Sequence, residues 1–328
     1  MNYSCPPVLI VGFNRPDVLR LVLDEVRKAR PQKLFLALDY PREGRPDDKP
    51  LYEACKTVFE SVDWPCEVKH NYASANMGCG NRMQSAISWT FEHVDRAIIL
   101  EDDVVADQSF FRFCAELLER YKDDTRVGMI SGCDEHRHMH KLKSYGDSYF
   151  FDRMTNITGW ATWKRAWDKY DPDMKDWPFF VESRILKNIF PRKYHVDDWI
   201  GYSGRLYRGE RKTWAGKWAM TMYREHWLSV HPFKNLVTHM GTMSSRVDED
   251  GNVTCSTCDR EGMWPDNLPR YSIDFPLHHP RTMIPNTLSE FYHMEDVHSM
   301  HWWKHIPTSP ADFVRKWKRL MKRLKCCV

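Results

Sequence analysis

Up to residue 131 the chain repeats one pattern: a short run of strand length, a polar turn, then a stretch with helical spacing. Residues 7–12 (PVLIVG), 33–39 (KLFLALD), 66–70, 96–100 and 127–131 read as strands. Between them, 18–28, 51–62, 82–93 and 110–122 read as helices, with 40–50 as a Pro/Gly/Asp-rich loop and 76–80 as a turn. Such alternation predicts an α/β fold with a mainly parallel sheet covered by helices on both faces. Past residue 150 the spacing is less regular and rich in Trp, Arg and Lys. That stretch reads as the second half of the same unit. The expected organisation is one domain over 1–310, with halves 1–131 and 132–310, and a separate tail over 311–328.

Composition narrows the class. Apolar residues make up 42% and charged residues 28%, as in a soluble globular chain and unlike a disordered one. No apolar run reaches the roughly 18 residues that a membrane-spanning helix needs. The start, MNYSCPPVLIVGFNRP, lacks a basic n-region and a long h-region, so no signal peptide is expected. The ten cysteines are then expected as free thiols. Cys255 and Cys258 form a lone CxxC without a matching second pair, which argues against zinc. Net charge is +3, but 311–328 holds seven Lys/Arg against Asp312, so the tail is +6 and the rest −3. A basic tail on an otherwise acidic chain does not describe a nucleic-acid groove.

The most informative local feature is AIILEDDVVAD, residues 97–107. Ligands of parallel α/β sheets bind outside the carboxyl ends of the strands. Here a buried strand ends in Glu101, Asp102 and Asp103, while earlier strands end in Phe13-Asn14-Arg15 and in Asp39. Adjacent carboxylates raise one another's pKa unless a cation lies between them. Hard ions such as Mn²⁺ or Mg²⁺ prefer such oxygen ligands, completed by phosphate and water. The bland alternative is a solvated acidic turn.

In order along the chain, PVLIVGFNRP, AIILEDD, an ISG strand and GWATWKRAW resemble GT-A-fold (Rossmann-like) glycosyltransferases, in particular the N-acetylglucosaminyltransferase I-like group and its bacterial surface-glycan relatives. The likeness covers about residues 6–245. It implies that Asp103 binds Mn²⁺ (or Mg²⁺), and that Glu101 and Asp102 face sugar, ribose or metal-bound water. It implies nucleotide contacts for Phe13, Asn14, Arg15 and Asp39, and a closing loop carrying Asn76, Gly78 and Arg82. Gly159, Trp160 and Trp214 would lie beside donor sugar and acceptor, where a Trp can stack on the apolar face of a sugar; Trp163 and Trp167, at helical spacing, read as core. His239 would be a second metal ligand.

The same resemblance exposes one departure. The family's Trp-Asp pair, which supplies the catalytic base, falls on Trp214-Ala215 here. Alanine takes no proton, so the expected base moves to Asp197 or Asp198, with Glu225 and Asp176 as further candidates.

These readings together predict a metal-dependent inverting glycosyltransferase. It would move a sugar from a nucleotide sugar, UDP-linked by resemblance, to a glycan or lipid-linked glycan hydroxyl. The alternatives are a nucleotide-sugar nucleotidyltransferase, and a non-catalytic glycan-binding protein on the same fold. In the tail, Phe313, Val314, Trp317, Leu320, Met321 and Leu324 share one helical face and basic residues fill the others. That pattern suits an anionic membrane surface, with Cys326 and Cys327 just beyond. The expected location is the cytoplasm, peripheral at the inner face of a membrane.

Overall fold

The computed structural model describes residues 3–133, 142–190, 192–240 and 268–297, and the backbone of 246–247 and 253–254. Cys255, Cys258 and the 311–328 tail, with Cys326 and Cys327, lie outside the described residues.

The elements run β1 (Val8–Gly12), α1 (Pro16–Ala29), β2 (Lys33–Leu38), α2 (Asp48–Glu60), β3 (Glu67–Tyr72), α3 (Gly78–Phe91), β4 (Arg96–Glu101), β5 (Val104–Ala106), α4 (Gln108–Arg120) and β6 (Val127–Ser131). The second half adds β7 (Tyr149–Asp152), β8 (Trp160–Trp163), α5 (Lys164–Trp167), α6 (Trp177–Ser183), α7 (Lys193–Tyr207), α8 (Ala215–Arg224), β9 (Leu228–Pro232) and β10 (Val237–His239). After them come the two-residue strands β11 (Arg246–Val247) and β12 (Val253–Thr254), and α9 (Thr287–Tyr292). Eight strands form one sheet in the order β3-β2-β1-β4-β8-β6-β9-β7. The pairs β1–β2, β2–β3, β1–β4 and β6–β9 are parallel, whereas β8 and β7 enter antiparallel. The α/β architecture is therefore as expected, and the irregular second half turns out to extend the same sheet.

Alternation along the strands explains the two packed faces. Val8, Ile10, Leu34, Leu36, Ile98 and Leu100 join one core cluster with α1, α2 and α4. Their neighbours Leu9, Val11, Phe35, Ala37, Ala97 and Ile99 join another with α3 and α8. Successive strand side chains point to opposite faces, so a run apolar at every position requires cover on both. A third cluster gathers α6, α7 and part of α8 around Trp177, Phe190 and Trp199.

Helix starts differ from the sequence reading in an instructive way. α3 begins at Gly78, four residues before the expected Arg82, because GCGN carries no apolar stripe to signal it. α2 likewise begins at Asp48, ahead of Leu51. α1 starts at Pro16, two residues ahead of the expected Val18, and buries Val18, Leu19, Val22, Leu23 and Val26.

The C-terminal described segment is stapled to the sheet edge. Asn286 N–H donates to Phe151 O at 2.7 Å. Ser289 Oγ donates to Asp152 Oδ2 at 2.8 Å, and His231 Nε2 lies 3.0 Å from Asp152 Oδ1. Arg153 Nε donates to Glu290 Oε1 at 2.7 Å. No described helix is long and apolar enough to cross a membrane.

Candidate active site

The strand order reverses direction at β1, which has β2 on one side and β4 on the other. That switch point, at the carboxyl ends of the strands, is where open α/β sheets leave a crevice. A cleft of about 190 Å3 opens there. Phe13, Asn14, Arg15, Asp39, Asn76, Gly78, Arg82, Glu101 and Asp102 all line it, so residues from four separate parts of the sequence meet in one place.

At one end Arg15, on the turn between β1 and α1, sits on the acids that follow β4. It is ion-paired with Asp102, and its Nη1 lies 2.6 Å from Asp103 Oδ2. Phe13 N–H donates to Asp102 Oδ2 at 3.0 Å. Arg15 thus serves as counter-ion to the acid pair, whereas the sequence reading gave it to the nucleotide. β10 pairs with β5 and brings His239 Nε2 to 3.2 Å from Asp103 Oδ2. Both acids are 2% exposed. Asp103 Oδ1 is buried without a hydrogen-bond partner. Burial alone would raise the Asp103 pKa, but Arg15 and His239 outweigh it and hold that carboxyl well below its usual range. Asp102 is raised, because burial exceeds the pull of Arg15. Burial, then repulsion from Asp103, pushes Glu101 up to about 7.

At the other end Asp39 closes the loop before α3. Its Oδ1 accepts from Tyr40 N–H and Met77 N–H, each at 2.9 Å. Its Oδ2 accepts from Gly78 N–H at 2.9 Å and from Asn76 Nδ2 at 3.3 Å. Four donors on one carboxylate make Asp39 a loop clamp in this state. Arg82, on α3, is 2% exposed and donates through Nη1 to Ser85 Oγ at 3.1 Å and through Nη2 to Asn71 Oδ1 at 3.1 Å. It is a buried cation of the cleft wall, not a surface helix residue.

Three contributors escaped the sequence reading: Arg42, Asp48 and Cys79. Fully buried Asp48 takes Arg42 Nε at 2.7 Å, Arg42 Nη2 at 2.9 Å and Asn14 Nδ2 at 2.7 Å. This network sets Arg42 over the Phe13 ring, 5.4 Å from its centroid, and fixes the rim of the cleft. The signal for Arg42 and Asp48 was the charged loop PREGRPDDKP, which follows Asp39 and Tyr40.

Other expected site residues lie elsewhere. Trp160 is 1% and Trp214 4% exposed, and they stack on each other at 5.7 Å within an aromatic cluster that includes Trp167 and Trp218. Neither ring has a free face for a sugar, which corrects the stacking role expected for them. Gly159 precedes β8 at φ +61°, where a Cβ would meet Val237 Cγ1 at 2.8 Å, so its role is backbone packing. Asp197 and Asp198 stand on α7, and Asp197 Oδ2 is 2.6 Å from Lys193 Nζ. α7 packs into the third core cluster, none of whose members lines the cleft.

For a divalent ion the described residues offer two donors, Asp103 and His239. No group of three or more His, Cys, Asp and Glu side chains among the described residues is arranged to hold a metal. The buried, unpartnered Asp103 oxygen nevertheless fits a hard cation completed by phosphate oxygens and water.

No protein-family model and no curated protein matches the chain. Several solved structures align with part of it. HddC from Yersinia pseudotuberculosis aligns at 11% identity over 49% of this chain and 77% of its own, with a TM-score of 0.32. The 4-diphosphocytidyl-2C-methyl-D-erythritol synthase from Anaerococcus prevotii aligns at 11% over 58% and 86%, TM-score 0.31. The glycosyltransferase GlyE of Streptococcus pneumoniae aligns at 9% over 69% of this chain and 45% of its own, TM-score 0.33. Likeness at that level leaves function to the chemistry of the cleft.

Proposed function

We propose that this protein is a metal-dependent inverting glycosyltransferase that uses a nucleotide sugar, UDP-linked by the sequence resemblance, and a glycan or lipid-linked glycan acceptor. The observation that carries the reading is the convergence of nine residues from strand ends, loops and the start of α3 on the switch-point cleft, beside a buried acid with one oxygen unpartnered. In this reading the nucleotide occupies the cleft, oriented by the Asn14–Asp48–Arg42 rim and by the loop that Asp39 clamps. Asp103 and His239 would hold Mn²⁺ or Mg²⁺, which would supply positive charge against the departing diphosphate. Glu101 and Asp102 face the same space and would position sugar hydroxyls or water.

Thermal shift across nucleotide sugars, with and without Mn²⁺, tests the donor. A ligand at 100 times its dissociation constant stabilises by about 2.7 kcal/mol. Release of free UDP from UDP-sugar in the presence of acceptor is the expected product. For the acceptor side, full-length chain is expected to float with anionic vesicles at low salt. A chain ending at Pro310 is expected to stay in solution.

One observation favours a second reading, a nucleotidyltransferase. No acid stands at Ala215, and α7 keeps Asp197 and Asp198 among residues outside the cleft lining. A hydroxyl acceptor needs a base, whereas a sugar phosphate is already ionised at neutral pH and attacks without one. Release of pyrophosphate from a nucleoside triphosphate and a sugar phosphate, with no UDP from UDP-sugar, would select that reading.

A further inference from the structure

Three arginines line the cleft, and their partners differ. Arg15 is paired with Asp102 and Asp103. Arg42 is paired with Asp48. Arg82, the most deeply buried of the three, is held by Ser85 and Asn71, which are neutral, and its Nε is buried with no partner. Among the described residues no carboxylate pairs with it. A buried guanidinium without a hydrogen-bonded carboxylate is costly. Burial pushes the Arg82 pKa below that of a free arginine, against the pull of Asp39.

The helix that carries Arg82 adds to the same field. α3 has 14 residues and no acid in its first turn. Gly78 and Cys79, from that turn, line the cleft beside Arg82. The start of the helix is fixed from two sides. Asp39 takes the amides of Met77 and Gly78. Gly80 packs so closely on the 212–213 backbone that a Cβ would meet Lys212 O at 2.9 Å. A helix N-terminus presents partial positive charge and outward N–H groups, which suit an oxyanion.

We propose that Arg82 and the first turn of α3 form an oxyanion subsite that takes a phosphoryl group of the bound nucleotide. The proposal rests on the nucleotide reading above and adds to it a second pole. Arg15 is drawn to the acids after β4 and Arg42 to Asp48, so the cleft arginine without a carboxylate hydrogen-bond partner among the described residues is Arg82, on α3. A ligand phosphate placed there supplies an acceptor for the Arg82 Nε and negative charge beyond that of Asp39.

The test uses inorganic pyrophosphate as the probe, by isothermal titration calorimetry on the full chain in EDTA, with uridine as the uncharged control. Arg82→Gln is expected to weaken pyrophosphate by about tenfold or more, the usual worth of a hydrogen bond to a charged group. Because Arg82 is buried and its loss can impair folding, Cys79→Asp provides a second arm. Cys79 is exposed, and an acid in a helix first turn favours the helix, so this variant is expected to stay folded while repelling pyrophosphate. Uridine binding should be unchanged in both variants. The proposal is overturned if wild type does not bind pyrophosphate, if Cys79→Asp binds it normally, or if uridine weakens as much as pyrophosphate. Wild type that binds UDP-sugars while Arg82→Gln keeps its pyrophosphate affinity would remove the subsite and leave the nucleotide reading standing. Arg82-dependent pyrophosphate binding with no affinity for any nucleotide sugar would do the reverse.

Discussion

Asp152 and Asp103 are both buried carboxylates at the ends of strands, yet their surroundings are opposite. Asp152 closes β7 with both oxygens engaged, by His231, by the Met154 amide and by the Ser289 hydroxyl. Its neighbour Arg153 is matched by Glu290. Asp103 follows β4 with one oxygen paired and the other bare. Other buried atoms without partners among the described residues include Tyr72 Oη, Tyr170 Oη, Trp218 Nε1 and Ser229 Oγ, all on neutral groups. Asp103 and Arg82 are the charged cases, and Arg82 lines the cleft while Asp103 adjoins it. A fold tolerates an unsatisfied neutral group more readily than an unsatisfied charge. The edge of the sheet uses charge to fasten its C-terminal segment, whereas the switch point leaves charge available to a ligand.

The largest expected effect is at the open pole. Asp103→Ala should lower turnover about a thousandfold or more and remove Mn²⁺-dependent nucleotide binding, while the unfolding transition is retained because Arg15 keeps Asp102. Wild-type activity with Mn²⁺ in that variant would cancel the metal assignment.

At the closed pole the effect should appear in stability. Arg153→Ala leaves Glu290, 3% exposed, without its cation. Breaking a buried pair costs 3–5 kcal/mol, and the partial exposure of Arg153 reduces this to about 2–4 kcal/mol. Urea unfolding should show it, with turnover per folded molecule unchanged. A loss of turnover without a shift in midpoint would contradict the division between the two regions.

A smaller effect should come from His195, whose Nε2 lies 3.0 Å from Glu295 Oε1. Burial lowers its pKa, against the pull of Glu295. A histidine with a depressed folded pKa gives up stability as pH falls through its unfolded value of about 6.5, because the unfolded chain then binds more protons. Urea midpoints should decline from pH 7.5 toward about pH 5, and His195→Gln should flatten the decline. An unchanged slope in the variant would assign the titration elsewhere.

The smallest effect is expected for paired Asn substitutions at Asp197 and Asp198, less than about threefold in turnover, given the position of α7. A loss of about 100-fold or more would show that α7 does reach the acceptor and would restore one of these acids as the base.

The sequence by itself determined the sheet and its chemistry-bearing ends. Runs such as VLIVG and AIILE are apolar at every position, which only a strand covered on both faces can use, and the polar residues that follow such runs fall at the carboxyl ends of parallel neighbours. Arg15, Asp39 and the acids at 101–103 were legible for that reason. What only the tertiary structure decided was which polar atoms are satisfied. Asp39 acquires three of its four donors because the 76–78 loop folds over it, and Arg15 turns toward Asp102 and Asp103 across β1 and β4. Arg82 is drawn inward when α3 starts a full turn earlier than its apolar stripe suggests. Trp160 and Trp214 illustrate the same limit. Aromatic residues suit both a core and a sugar face, and their choice depends on partners such as Trp167 and Trp218, brought together by contacts between distant elements. Periodicity records which face of an element is buried, but pairing between distant side chains leaves no periodic trace, so the balance of charge in the cleft emerges only when the sheet is assembled.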